Sequence, residues 1–193
     1  ARERSHKALH ATQDRIVRRS GPRGVTAGSR DLSQYQGRRW FTRKGLFIDR
    51  LAAIWFIRRF IDKKARFEFV NDGDSVEGAI GFDIYGGEFT HRGEDCTFET
   101  MIKEFHNSEN TGLQQLAEIV HDIDIKDDKY GRSEAAGLSK IIRGLADWLK
   151  NDRKLIQQTL PIFDSLYELL NQPEAGVSKQ SNVRKSNKRR TKR

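Results

Sequence analysis

The sequence predicts an α+β domain, with a small mixed β-sheet in the first half packed against a largely helical second half. Three observations predict it. Between Arg39 and His91 the apolar residues come in short runs, and one of them, Arg66-Phe-Glu-Phe-Val, alternates with the period of two of a half-buried strand. From Thr97 to Leu170 the apolar residues recur instead at helical spacing. The chain of 193 residues is long enough for one sizeable core and short for two.

Residues 3–19 read as a polar helix with few core anchors, ended by Ser20-Gly-Pro-Arg-Gly, and a linker follows to about Gln36. Residues 39–42, Arg-Trp-Phe-Thr, suit a short strand. Residues 49–61 read as a helix buried on most sides, because nearly every position from Leu51 to Ile57 is apolar. Asp49 sits near its start, where a carboxylate suits the helix dipole. Residues 66–70 are the alternating strand, and Asn71-Asp-Gly-Asp then turns the chain. Residues 82–85 and 88–91 read as short strands joined by a hairpin at Gly86-Gly87. Helices are expected over 97–105, along the stripe Leu113, Leu116, Ala117, Val120 and Ile123, and over 134–148 and 152–170. The organisation is thus an N-terminal helix and linker over 1–36, a domain over 37–172 and a disordered basic tail over 173–193.

Hydrophobic residues make up 36% of the chain and charged residues 33%. No apolar run approaches the ~20 residues that span a bilayer. The first residues lack the apolar stretch of a secretory signal, so the expected location is cytoplasmic, with no membrane partner. The net charge of +9 is uneven. Residues 1–30 hold eight basic and two acidic residues, residues 179–193 hold eight basic and none acidic, and residues 31–178 hold 20 basic and 25 acidic. The basicity belongs to the ends, and the tail could make weak, sequence-indifferent contact with nucleic acid. The single cysteine, Cys96, excludes a disulfide within the chain.

Three constellations could carry chemistry. The first is Thr90-His91-Arg-Gly-Glu-Asp-Cys96-Thr-Phe-Glu99, which gathers an imidazole, a thiol and a carboxylate at a strand-to-helix junction. Such groups suit a divalent transition metal such as zinc, iron or copper, although the spacing matches no standard zinc motif. The bland alternative is a strand-end His91, a core Cys96 and a Glu99 capping the helix that follows. The second is His121-Asp-Ile-Asp124-Ile-Lys-Asp127-Asp128, where His121 and Asp124 share a helix face at the edge of an apolar stripe. Its alternative is a solvated acidic helix end. The third is Arg58-Arg59, joined by Arg43, Lys44 and Arg50 at the preceding turn. Paired guanidinium forks can hold a tetrahedral oxyanion. The bland alternative, which such pairs more often follow, is that they snorkel from a buried helix or pair with Asp49, Asp62 and other acids. No nucleophile elbow, phosphate-binding loop or nucleotide fingerprint is present, so no catalytic residue and no organic-cofactor site is assigned. His6, His10 and His106 read as polar helix residues.

Taken in order, Trp40-Phe-Thr-Arg-Lys-Gly, Ile48-Asp-Arg-Leu-Ala, Trp55-Phe-Ile-Arg-Arg-Phe-Ile-Asp, Ala65-Arg-Phe-Glu-Phe-Val, Phe82-Asp-Ile-Tyr, the Thr90–Glu99 segment and Ile119-Val-His-Asp-Ile-Asp124-Ile-Lys-Asp-Asp resemble the ChrB family's C-terminal, chromate-resistance domain. The resemblance runs from about Arg38 to Leu170. It implies a part in bacterial chromate resistance, with chromate or a metal ion as the partner and a sensing or regulatory role beside a chromate-efflux system. Longer members carry a separate N-terminal regulatory domain, whereas only 37 residues precede the match here. The resemblance also favours a metal or oxyanion role for His91, Cys96, Glu99, His121 and Asp124, and these five are expected to converge on one site. Reducing chromate takes several electrons, which one thiol cannot supply, so a self-sufficient reductase is not expected. The competing readings are a metal-dependent enzyme and a nucleic-acid-associated protein acting through its basic ends.

Overall fold

The computed structural model describes residues 30–105 and 109–172. The helix expected over 3–19, the basic tail over 173–193, and His6, His10 and His106 lie outside the described residues. The fold is α+β, as expected.

The described chain opens with a 3-10 turn, Leu32–Tyr35, capped by the Asp31 carboxylate, which accepts the Ser33 N–H at 2.9 Å. Residues 30–36, read from sequence as a linker, in fact pack on the domain. Tyr35 is buried, stacked on Trp40 and edge-on to Phe105. Arg30 pairs with Glu104 and Glu88.

Three strands form one sheet in the order β2-β1-β3: β1 (Arg39–Arg43), β2 (Arg66–Val70) and β3 (Ile80–Gly81). Both pairings are parallel, with Trp40 level with Phe67 on one side and Ile80 on the other. The expected mixture of directions is therefore absent from this sheet. The physical reason is the crossover. Between β1 and β2 the chain makes α1 (Ile48–Phe56) and one π-helical turn (Ile57–Ile61), long enough to bring β2 back in the direction of β1. Trp40, Phe41 and Thr42 are all buried, as a central parallel strand requires.

The expected hairpin at Gly86-Gly87 does not form a ladder. The Asp83 N–H donates to the Phe89 carbonyl at 2.9 Å and the Phe89 N–H to the Gly81 carbonyl at 3.2 Å, leaving a single parallel bridge, Phe82 to Phe89. Gly81 and Gly87 nearly touch. A Cβ on Gly81 would come within 2.9 Å of the Gly87 Cα, so the loop folds too tightly onto the sheet to run as two strands.

Four further helices follow: α2 (Thr97–Glu104), α3 (Thr111–Asp124), α4 (Ser133–Leu149) and α5 (Asp152–Leu170). Asn110 caps α3 through the Leu113 N–H and Asn151 caps α5 through the Lys154 N–H, both at 3.0 Å. α1 is the hub. Its residues from Leu51 to Phe56 are all buried, and Trp55 meets Phe98 of α2 and Phe163 and Tyr167 of α5. Among the described residues no helix is long and apolar enough to cross a membrane.

Candidate functional site

The carboxyl ends of the three parallel strands lie along one sheet edge, and the polar residues that follow them meet there. In open sheets with parallel strands this edge is where ligands bind. Behind it stands Asp49, in the first turn of α1 and buried. Its carboxylate reaches across to the start of α2 and accepts the Thr97 N–H at 3.0 Å and the Phe98 N–H at 2.8 Å. Cys96, the residue before α2, has no strong capping oxygen, so a carboxylate from another helix supplies the cap.

His91 faces this carboxylate. Its Nε2 lies 3.3 Å from Asp49 Oδ2, 3.6 Å from Asp83 Oδ1 and 3.6 Å from Asp124 Oδ2. Burial works against the imidazolium, but the hydrogen bond and charge of Asp49, with Asp83 and Asp124, raise His91 to about 9. At neutral pH it is therefore a cation among three carboxyl groups. Burial would push Asp49 up, yet His91 and the α2 N–H groups hold it below the usual carboxylate range. Asp83 is raised, by burial and then by Asp49, against the pull of Arg50. Asp124, at the end of α3, is raised to about 7, again by burial and then by Asp49. Asp83 sits at φ 43, a left-handed conformation that aspartate tolerates better than most residues. There its side chain can meet His91 on one side and Arg50 on the other.

A second pair lies beside the first. His121 is fully buried and its Nδ1 is 2.7 Å from Glu99 Oε2. The same oxygen accepts the Cys96 N–H at 2.8 Å, while Glu99 Oε1 accepts the Tyr130 hydroxyl at 3.3 Å. The other His121 nitrogen is 3.3 Å from Asp127. Burial opposes the His121 charge, but the hydrogen bonds and charges of Glu99 and Asp127 together outweigh it and the imidazole is raised. Cys96 is fully buried, and burial, then Asp49 and Glu99, push its thiol well up. It is a protonated core residue rather than a ready thiolate.

The two segments singled out in the sequence do face each other, but as two contacts. His91 meets Asp124, and Glu99 meets His121. Among the described residues the donors close enough to share one ion are Asp49, Asp83 and His91, whose ligand atoms lie within 4.8 Å of one another. Sequence reasoning took Asp49 for a helix-dipole carboxylate and passed over Asp83. One signal was available: Asp49 is an acid in the first turn of a helix that is apolar from Leu51 to Ile57, which is costly unless something is held there.

The basic residues separate into two groups. Arg59 pairs with Asp164 and Glu168 and lies 4.7 Å over the Tyr167 ring. Arg58 is exposed, with its guanidinium 5.3 Å over Phe67. Arg43, Lys44 and Arg50 instead line a cleft of about 350 Å³ at the sheet edge, with Gly45, Asn71 and Asp72. The turn at Gly45 is held by Asp152, which accepts the Gly45 and Leu46 N–H groups at 2.9 and 3.0 Å. Arg50 Nε donates to Asp83 Oδ2 at 2.8 Å, and Arg43 lies 3.8 Å from the same oxygen. Asp83 thus joins the basic cleft to the His91 cluster.

The family model for the ChrB C-terminal domain matches residues 40–170. Protein ChrB of Cupriavidus metallidurans is 36% identical over 168 residues, which cover 86% of this chain and 51% of that protein. The chain therefore spans about half the length of this curated relative. No solved structure matches it. With a fold consistent with those segments and a match across nearly the whole described domain, the chain belongs to the ChrB C-terminal domain family.

Proposed function

We propose that this domain is the chromate-responsive part of a chromate-resistance protein, regulatory rather than reductive, and that it takes the oxyanion in the cleft of Arg43, Lys44 and Arg50. The observation that carries the reading is the sharing of Asp83 between Arg50, at 2.8 Å, and His91, at 3.6 Å. Chromate is a tetrahedral dianion, and two guanidinium forks with an ammonium complement it in shape and charge. On arrival it competes with Asp83 for Arg50 and Arg43. Asp83 is then left to His91, and the charge balance around Asp49 and Asp124 changes. Asp49 caps α2 and Asp124 ends α3, so an anion at the sheet edge reaches two helices through one histidine. The buried, protonated Cys96 fits no electron-donating role.

Calorimetric titration of the chain with chromate, and with sulfate for comparison, tests this. Arg50→Lys keeps the charge and loses the fork, and should weaken chromate binding at least ~10-fold while circular dichroism stays unchanged. Arg58→Lys should bind as the parent does. Loss of binding in Arg58→Lys with Arg50→Lys unaffected would return the site to the Arg58-Arg59 pair.

A second reading is favoured by the donor group of Asp49, Asp83 and His91. One nitrogen and two carboxylate oxygens suit a divalent transition metal such as zinc, iron or copper. The ion would take the place of the His91 proton, so its binding would strengthen as pH rises. Cys96 lies outside this donor group, and Glu99 and His121 are engaged with each other.

A further inference from the structure

We infer that two copies of this chain pair through the outer face of α4, running antiparallel, with Trp148 and Ile141 of each copy resting on Gly137 and Gly144 of the other. Trp148 is 77% exposed and Ile141 53% exposed. Neither contributes to the core, although the opposite face of α4 does so through Leu138 and Ile142. Gly137, Ile141, Gly144 and Trp148 recur at four, three and four residues, so they share one stripe of the helix. Both glycines are exposed, and a Cβ built on either would meet nothing within 4 Å. Two glycines in mid-helix cost helix stability unless they serve close approach.

The stripe complements itself. Gly137 and Trp148 are equidistant from a point between Ile142 and Arg143, and so are Ile141 and Gly144. A two-fold axis through that point sets each large side chain over a glycine of the second copy. The same operation brings charges together. Lys140 and Asp147 are both exposed and lie two turns apart on one flank of the stripe. Under the two-fold, Lys140 lies at the height of Leu145 of the second copy, and Asp147 of that copy, which shares the flank of Lys140, is about 3 Å further along the axis, within reach of a lysine. Two such pairs form, one on each side of the axis. This shape and charge match, rather than exposure alone, selects a second copy as the occupant. Seventeen residues make a helix only ~26 Å long, and such a pair lies at the small end of specific interfaces. The dimer should therefore form at micromolar concentrations rather than be permanent.

Sedimentation velocity of the whole chain over a concentration series tests it. A reversible monomer–dimer equilibrium is expected, with Trp148→Glu raising the dissociation constant at least ~10-fold. Lys140→Asp and Asp147→Lys should each weaken the dimer, and the double exchange should restore it, which no merely destabilising change would do. Trp40 and Trp55 are buried, so fluorescence quenching by iodide reads Trp148, and dimerisation should protect it. A chain that stays monomeric throughout, a dimer indifferent to Trp148→Glu, or a double exchange that restores nothing overturns the proposal. So does a Trp148 already shielded in the monomer, which would assign the stripe to another segment of the same chain.

Discussion

His91 sets the charge of the site, and pH should expose it. Its imidazole rises from 6.5 to about 9 in the fold, so the folded state binds its proton more tightly than the unfolded chain does. That contribution is fully present below about pH 6.5 and is lost as pH rises through 9; a shift of this size corresponds to on the order of 3 kcal/mol. Asp124 acts in the same direction lower down. A carboxyl raised to about 7 also favours the protonated fold, so stability falls as pH rises from about 4 to 7. Asp49, held low, works oppositely and matters only in acid. The melting temperature should therefore decline from about pH 5 to 9, and His91→Gln should flatten the decline above pH 6.5, leaving a residue from His121. A melting temperature that rises across this range would contradict the imidazolium. Single residues were unevenly legible in the sequence. His91 stood out beside a glycine turn. Asp83 did not, because its role depends on a left-handed backbone angle and on Arg50, 33 positions away.

Helices and strands are joined here by side chains that cap elements other than their own. Asp49 belongs to α1 and terminates α2. Replacing it with alanine orphans two buried N–H groups and deprives His91 of its nearest carboxylate, which should cost about 2–4 kcal/mol. Asn151→Ala, at an exposed local cap, should cost only about 1 kcal/mol. Urea unfolding of the two variants checks the difference; equal midpoints would mean that the Asp49 bridge holds nothing together. Helix extents were legible because their apolar period is local: 152–170 was read as found, and 134–148 became Ser133–Leu149. The 82–91 hairpin was misread because Gly86-Gly87 signals a turn but not the close approach of Gly87 to Gly81. The π-helical turn at Ile57–Ile61 left no mark in the sequence, because Ile57, Phe60 and Ile61 sit at spacings that an ordinary α-helical turn also gives.

At the scale of the molecule, strand direction decides where the site lies. Period-two alternation identifies a strand but not its direction, so the sheet was expected to be mixed. Because all three strands run the same way, Arg43, Asn71 and the Phe82-Asp83 turn emerge together. The cleft is therefore a consequence of the α1 crossover; at the far end of that crossover Arg59 pairs with acids of α5 and Arg58 lies over Phe67 of β2 instead. The central claim is that an oxyanion occupies the cleft and acts through Asp83. Chromium itself reports the answer. In crystals soaked with chromate, anomalous scattering at the chromium edge should give a peak in the cleft, within hydrogen-bonding reach of the Arg43 and Arg50 guanidinium groups. A peak enclosed by Asp49, Asp83 and His91, with none between the arginines, would contradict the claim: it would mark a chromium cation, and the domain would be a metal site rather than an anion receptor.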